Sequence, residues 1–204
     1  MDNLVITSSG FNTAKNYVPD ENIEYFKKIA KNNKIIIVAN AAPNTSGNYV
    51  ARTNVRDNFL KVGAKQADIV DLNETNIDQI FNYDIVYVLG GDLRYLIELN
   101  QHTDIAEKLK KFIKTGIYIG ESAGSIILND DVKFIYDLKR GTKPKYDIEL
   151  ESYLGFSIHH AYYFPHYQKA DESMRKKIEA YELEHNIHVT RLSDGDMTLI
   201  RHRP

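Results

Sequence analysis

Gly120-Glu121-Ser122-Ala123-Gly124 is the stretch of this sequence with the clearest chemical meaning. It fits G-x-S-x-G, the pattern of a nucleophile elbow, in which a serine hydroxyl projects from a sharp strand-to-helix turn. The flanking glycines permit the turn and remove side chains that would crowd the neighbouring elements. The helix expected to follow offers unpaired N–H groups, and its dipole favours developing negative charge. So short a pattern also arises by chance, or as a plain turn packing helix on strand. Its context favours the chemical reading, because a predicted strand ends at Gly120 and an apolar helix follows.

A nucleophilic serine needs an electrophilic stabiliser and a base. Leu89-Gly90-Gly91-Asp92 lies where another strand ends and a helix begins. Taken alone it is an ordinary glycine-rich turn. If the two strands are neighbours and parallel, both turns face one sheet edge, and the N–H groups of Gly91 and Ala123 can form an oxyanion hole. Seven histidines are available as the base. His102, His185, His188 and His202 fall on helices, at a strand start or at the tail, where a solvated ring is the default. His159, His160 and His166 follow the elbow. His159 and His160 point to opposite faces if their segment is a strand, so at most one of them can share a site with Ser122. His166 follows a proline just before a helix, a suitable perch at a strand end. For the acid that orients the imidazole there are two candidates, Asp194 in the turn Leu192–Asp196 and Asp137 beyond the elbow helix. Asp194 can equally be a hairpin turn residue, since it precedes glycine. Asp137 would give the chain order serine, acid, histidine of α/β-hydrolases.

The elements that must position these groups follow from the apolar pattern. Leu4–Thr7, Ile35–Ala39, Ala67–Asp71, Ile85–Leu89 and Gly116–Gly120 read as short buried strands, near-continuous in apolar character as strands covered on both faces must be. Helical patterns separate them. One opens at Pro19 and runs through Ile23, Phe26, Ile29 and Ala30, and others cover about Ser46–Lys61, Asp92–Leu99 and Asp104–Lys114, the last closed by Gly116. A late helix over about Gln168–His185 and strands near His188–Leu192 and Met197–Arg201 complete the chain. This alternation predicts an α/β fold, an open and mostly parallel sheet with helices on both faces, in one domain over 1–204. The basic stretch Leu138–Asp147, containing glycine and proline, reads either as a lid over the site or as a surface loop.

Composition bounds the function. The chain has 204 residues, 43% hydrophobic and 26% charged, an ordinary globular balance. Lysine plus arginine number 26 against 28 acids, a net charge of −2, so nothing calls for nucleic acid or an anionic membrane as partner. With no cysteine there can be no disulfide, thiolate metal site or cysteine nucleophile. No H-x-x-x-H helix is present either, and no metal is expected. No stretch approaches the roughly 20 apolar residues that span a bilayer, and the start lacks the basic flank and apolar run of a signal peptide. The expectation is a soluble cytoplasmic protein.

Four stretches, Leu4–Phe11, Gly90–Leu96, Gly120–Gly124 and Phe164–Tyr167, together resemble the family of serine peptidases that includes dipeptidase E and cyanophycinase, in an order and spacing that span most of the chain. The resemblance implies an open α/β sheet like that of class I glutamine amidotransferase domains, flavodoxin-like in layout. It implies Ser122 as nucleophile, His166 as base, Asp194 where dipeptidase E presents a glutamate, and Gly91 and Ala123 as oxyanion donors. It also implies no cofactor, a short peptide as substrate, and hydrolysis through an acyl-enzyme. Asp92 and Leu93 stand where the family usually has asparagine and threonine, and Asp92 is expected to cap the helix starting there. Ser125 for the usual alanine reads as a small change. The resemblance to dipeptidase E implies N-terminal Asp-X peptides as substrates; Arg52, Arg56 and Arg94, near predicted loop edges, are the arginines available to bind such a carboxylate, and each otherwise reads as a solvated helix residue. The oligomeric state, monomer or homodimer, is open. The rival functions are an esterase or amidase using the same serine, and a non-catalytic binding protein on the same fold. A nucleotide binder fits less well, since the first strand leads into Thr7–Gly10 without G-x-G-x-x-G spacing.

Overall fold

The computed structural model describes residues 3–14, 17–43 and 46–201, so His202 lies outside the described residues. Strands β1 (Leu4–Thr7), β2 (Lys34–Val38), β3 (Gln66–Val70), β4 (Ile85–Val88) and β5 (Ile117–Glu121) are connected through α1 (Asp20–Ala30), α2 (Ser46–Lys61), a 3-10 helix (Ile77–Asn82) and then the pair α3 (Leu93–His102) and α4 (Ile105–Phe112), in that order. Then come α5 (Ala123–Ile126), α6 (Lys133–Lys139), β6 (Tyr162–Pro165), α7 (Glu172–His185), β7 (Val189–Leu192) and β8 (Met197–Ile200). The main sheet has the order β3-β2-β4-β5-β1-β8, parallel except for β8, which runs antiparallel to β1 at the edge.

The near-continuous apolar strands are explained by burial on both faces. Val5, Ile35, Ile37, Tyr87 and Ile119 pack on one side with Phe26 of α1 and Phe59 of α2. Their neighbours Leu4, Ile6, Ile36, Val38, Val86, Val88 and Tyr118 pack on the other with Leu96, Leu109 and Ile127. The period-two alternation of side chains thus divides one apolar run between two cores. The carboxyl ends of β1, β4 and β5 are brought side by side, since β4 and β1 flank β5.

Four features differ from the sequence expectation. The helix after the elbow is only four residues long, and α6 follows it as a separate helix. The stretch 138–147 is not one open loop, because its first two residues end α6 and Pro144–Tyr146 form a 3-10 turn with Tyr146 buried. The late helix starts at Glu172 rather than Gln168; Ala170 is extended and the Asp171 side chain caps the new start by accepting the N–H of Met174. Finally, Asp194-Gly195 does not join a hairpin. β7 pairs parallel with β6 in a separate two-stranded sheet, whereas β8 joins the main sheet, so this turn crosses between the two.

Candidate active site

Ser122 lies between β5 and α5 with φ +49° and ψ −105°, a conformation that costs an L-residue about 1–3 kcal/mol and persists only where the surroundings enforce it. They do so by close packing. A Cβ on Gly120 would lie 2.6 Å from the carbonyl oxygen of Gly124, and one on Gly124 would lie 2.3 Å from that of Val88. Gly90 is equally constrained, since its Cβ would meet that of Ser122 at 2.9 Å. The elbow therefore nests against the end of β4. Ser125 fixes it to β1: its Oγ lies 2.8 Å from the carbonyls of both Thr7 and Gly120 and accepts the N–H of Thr7 at 3.2 Å. Serine here is more than a small replacement for alanine, because it holds the two strand ends together.

His166 reaches Ser122 from the end of β6. Its Nε2 is 3.2 Å from Ser122 Oγ, and its Nδ1 is 2.5 Å from Asp194 Oδ1. An ionised carboxylate only accepts, so the ring carries its proton on Nδ1 and leaves Nε2 to accept from the serine hydroxyl. The Asp194 backbone N–H donates to Gln168 Oε1 at 3.0 Å, and its Oδ2 takes Lys169 Nζ at 2.9 Å. Burial pushes the His166 imidazole below its ordinary value, and Lys169 and Lys139 add to this; Asp194 opposes them without overcoming them. Burial alone would raise the Asp194 carboxyl, but hydrogen bonds from Lys169 and His166 hold it below the usual carboxylate value. The result is a neutral imidazole beside a hydroxyl and a charged carboxylate behind it, a series able to take a proton from the hydroxyl as it attacks.

Ser8 is a member that residue types and spacing did not single out. Its Oγ donates to Asp194 Oδ1 at 3.1 Å and accepts the backbone N–H of His166 at 2.8 Å, tying the acid to the base. The available signal was position: Ser8 follows β1, whose carboxyl end adjoins that of β5. Glu121 was also passed over. It is buried, and its carboxylate accepts the Tyr87 hydroxyl at 2.7 Å, while that hydroxyl accepts the N–H of Phe11 at 3.0 Å. Burial and then the Glu121 charge push the Tyr87 phenol far up, keeping it a neutral donor.

Gly91 has φ +148°, and a Cβ there would sit 2.0 Å from the carbonyl oxygen of Ala41. Among the described residues neither its N–H nor that of Ala123 has a backbone acceptor across turns and loops. Asp92 caps α3 as expected, accepting the N–H of Arg94 at 3.1 Å, and also holds the Arg94 guanidinium at 2.6 Å. Its charge is thereby directed into the helix start and an arginine.

The other candidates lie elsewhere. Asp137 pairs with Lys133 at 3.0 Å and faces the Tyr181 hydroxyl at 3.5 Å; the structure does not bring it to an imidazole. The strand that would send His159 and His160 to opposite faces does not form. His159 stacks near Tyr163, and His160 pairs with Asp130. His185 packs on Tyr181 and His188 lies 3.3 Å from Glu182. Arg52 is not solvated: it is buried, with one nitrogen on the Ala42 carbonyl at 3.0 Å and another on Asp71 at 2.7 Å. Arg56 is on the surface beside Asp57. Among the described residues no group of three or more histidines, cysteines, aspartates or glutamates could hold a metal ion, and no helix is long and apolar enough to cross a membrane.

A mostly parallel α/β sheet with a strained serine at the end of a central strand is an architecture known from serine hydrolases. Residues 4–203 match peptidase family S51, and the chain belongs to that family. It is 28% identical over 138 residues to the uncharacterized peptidase PM1590 of Pasteurella multocida (strain Pm70), an alignment that covers 63% of each chain. Its fold is similar to that of a Listeria monocytogenes EGD-e protein assigned by name to peptidase E. The TM-score is 0.73 at 20% identity, covering 100% of this chain and 96% of that one. A peptidase from an acI-B1 Actinobacterium is similar with a TM-score of 0.62 at 18% identity, over 87% of this chain and 75% of that one.

Proposed function

We propose that the protein is a cytoplasmic serine peptidase of dipeptidase E type that hydrolyses short peptides without a cofactor, acting as one domain. Ser122 Oγ attacks the scissile carbonyl carbon while His166 Nε2 takes its proton. Gly91 and Ala123 N–H groups stabilise the oxyanion, and Asp194 steadies the imidazolium. Collapse of the tetrahedral intermediate breaks the C–N bond, and His166 returns the proton to the leaving amine. Water, deprotonated by the same nitrogen, then releases the acyl group and regenerates the serine. The observation that carries this reading is the unbroken series from Ser122 Oγ through His166 to Asp194, with steps of 3.2 and 2.5 Å.

A fluorophosphonate probe should label Ser122, as located by peptide mass spectrometry, and labelling should vanish in Ser122→Ala. Folded protein that resists the probe would sink the catalytic reading. The choice between peptidase and esterase is made by a panel of dipeptides against aryl esters, with faster cleavage of dipeptides expected. The end of α6 and the segment after it contribute Lys139, Thr142 and Lys143 to a cavity beside His166, which suits a restriction to short substrates. Equal cleavage of a long unstructured protein and of dipeptides would remove that restriction.

A further inference from the structure

Beside His166 lies a cavity of about 500 Å³ between the end of α6, the end of β6 and the start of α7. His166 is its only wall drawn from the catalytic series, and neither Gly91 nor Ala123 lines it. The position relative to these groups has a chemical meaning. In a serine hydrolase the oxyanion donors hold the carbonyl, while the imidazole returns its proton to the departing amine, so the part of the substrate beyond the scissile bond must lie on the imidazole side.

The cavity is also strongly basic. Lys139, Lys143, Lys169 and Lys177 line it against a single carboxylate, Asp171, which is committed to capping α7. Lys169 is held by Asp194. Among the described residues, Lys139, Lys143 and Lys177 have no carboxylate partner. Lys139 is the deepest of the four, its ammonium 5.1 Å from the Phe164 ring and 5.2 Å from that of Tyr146. Burial pushes it down to about 8, and Lys145 and Lys143 push the same way. A half-buried ammonium repelled by its neighbours is costly unless a ligand brings the missing anion.

We propose that this cavity is the subsite for the leaving portion of the substrate and that Lys139 selects a carboxylate there, making it a specificity-determining residue. The inference rests on the serine peptidase reading above and extends it to the far side of the scissile bond. The carboxylate can be the free C-terminus of a dipeptide or an acidic side chain following the bond. Either supplies a charge-assisted partner for Lys139, with Lys143 and Lys177 adding attraction from the rim.

The test compares kcat/KM for X-Leu dipeptides, with X drawn from aspartate, alanine, leucine and lysine, against the same peptides as C-terminal amides and against X-Glu amides. For the wild-type protein the free acid should exceed the amide at least tenfold, with the gap narrowing as salt is raised. Recovery in the X-Glu amides identifies a side-chain carboxylate as sufficient; no recovery identifies the terminal carboxylate. In Lys139→Met, which keeps an unbranched stem over Phe164, the acid-to-amide ratio should fall to near one. Equal wild-type rates on acid and amide, with Ser122 labelled by the fluorophosphonate, overturn the subsite and leave the peptidase reading standing. Absence of labelling, or labelling without cleavage of any dipeptide, overturns both. A ratio unchanged in Lys139→Met removes that lysine from the selection.

Discussion

At the scale of single residues, the proposed mechanism makes the imidazole of His166 the group that decides the working pH. A base must be deprotonated to act, and burial has lowered this one below its ordinary 6.5. The acid limb of kcat/KM against pH should therefore have its midpoint below 6.5, as a pH–rate profile will show; a midpoint near 7 would be incompatible with the buried ring described here. Asp194 works in the opposite direction, raising the imidazole through its hydrogen bond and charge. Asp194→Asn should accordingly move the limb to still lower pH. Loss of the oriented Nδ1–H should also reduce kcat by about 10³–10⁴-fold in steady-state assays. Ser8→Ala is a milder disturbance, because it removes one hydrogen bond to Asp194 and one to the His166 backbone and leaves the carboxylate in place. About tenfold in kcat is expected, on the order of 1 kcal/mol, with a shift in the pH profile that a purely structural serine would not give. Of these residues Ser122 was legible from its own neighbours, because a nucleophile elbow is a local pattern. His166 was narrowed to three candidates but not chosen by position alone, and Ser8 carried no local mark.

At the scale of elements, the strained serine depends on how closely β4, β5 and α5 approach. The nearest obstacle to a side chain at Gly124 is the Val88 carbonyl, which is backbone within a central strand and cannot swing away. Gly124→Ala should therefore cost about 1–3 kcal/mol, a fall in Tm of several degrees. Fluorophosphonate labelling of the folded variant should slow with it, since any relief moves Ser122. A variant as stable and as reactive as the wild type would show that the nest is looser than its distances indicate. The strands and long helices were readable because apolar period and capping residues are properties of contiguous sequence: Asp92 capped α3 as its type suggested. The exceptions share a cause. β6 is four residues ending in proline and acquires its partner, β7, from a segment far along the chain. The Asp194-Gly195 turn looked like a hairpin because its residues suit one. Which sheet each adjoining strand enters is set by distant partners.

Across the whole molecule, the sheet separates two cores, and Ser122, His166 and Asp194 meet at the edge between them. Phe59 anchors the α1–α2 side, fully buried and edge-to-face with Phe11, Phe26 and Tyr87. Phe59→Ala should destabilise the fold by about 3–5 kcal/mol and lower Tm on the order of 10 °C by calorimetry or circular dichroism. Ser122 should remain reactive in the fraction that stays folded. A loss near 1 kcal/mol would mean that the core collapses around the cavity. Taken by itself, the sequence determined the alternation of strands and helices, the elbow at Ser122, the glycine turn at Gly90-Gly91 and the cap at Asp92. Each is written in residues within a few positions of one another, where period, chirality and capping act. Only the tertiary structure decided that Asp194 rather than Asp137 meets His166, that Ser8 ties the two together, that Arg52 is buried, and that four lysines line one cavity with His166. Those outcomes depend on which segments, more than a hundred positions apart in places, share a sheet edge, and no local preference specifies that.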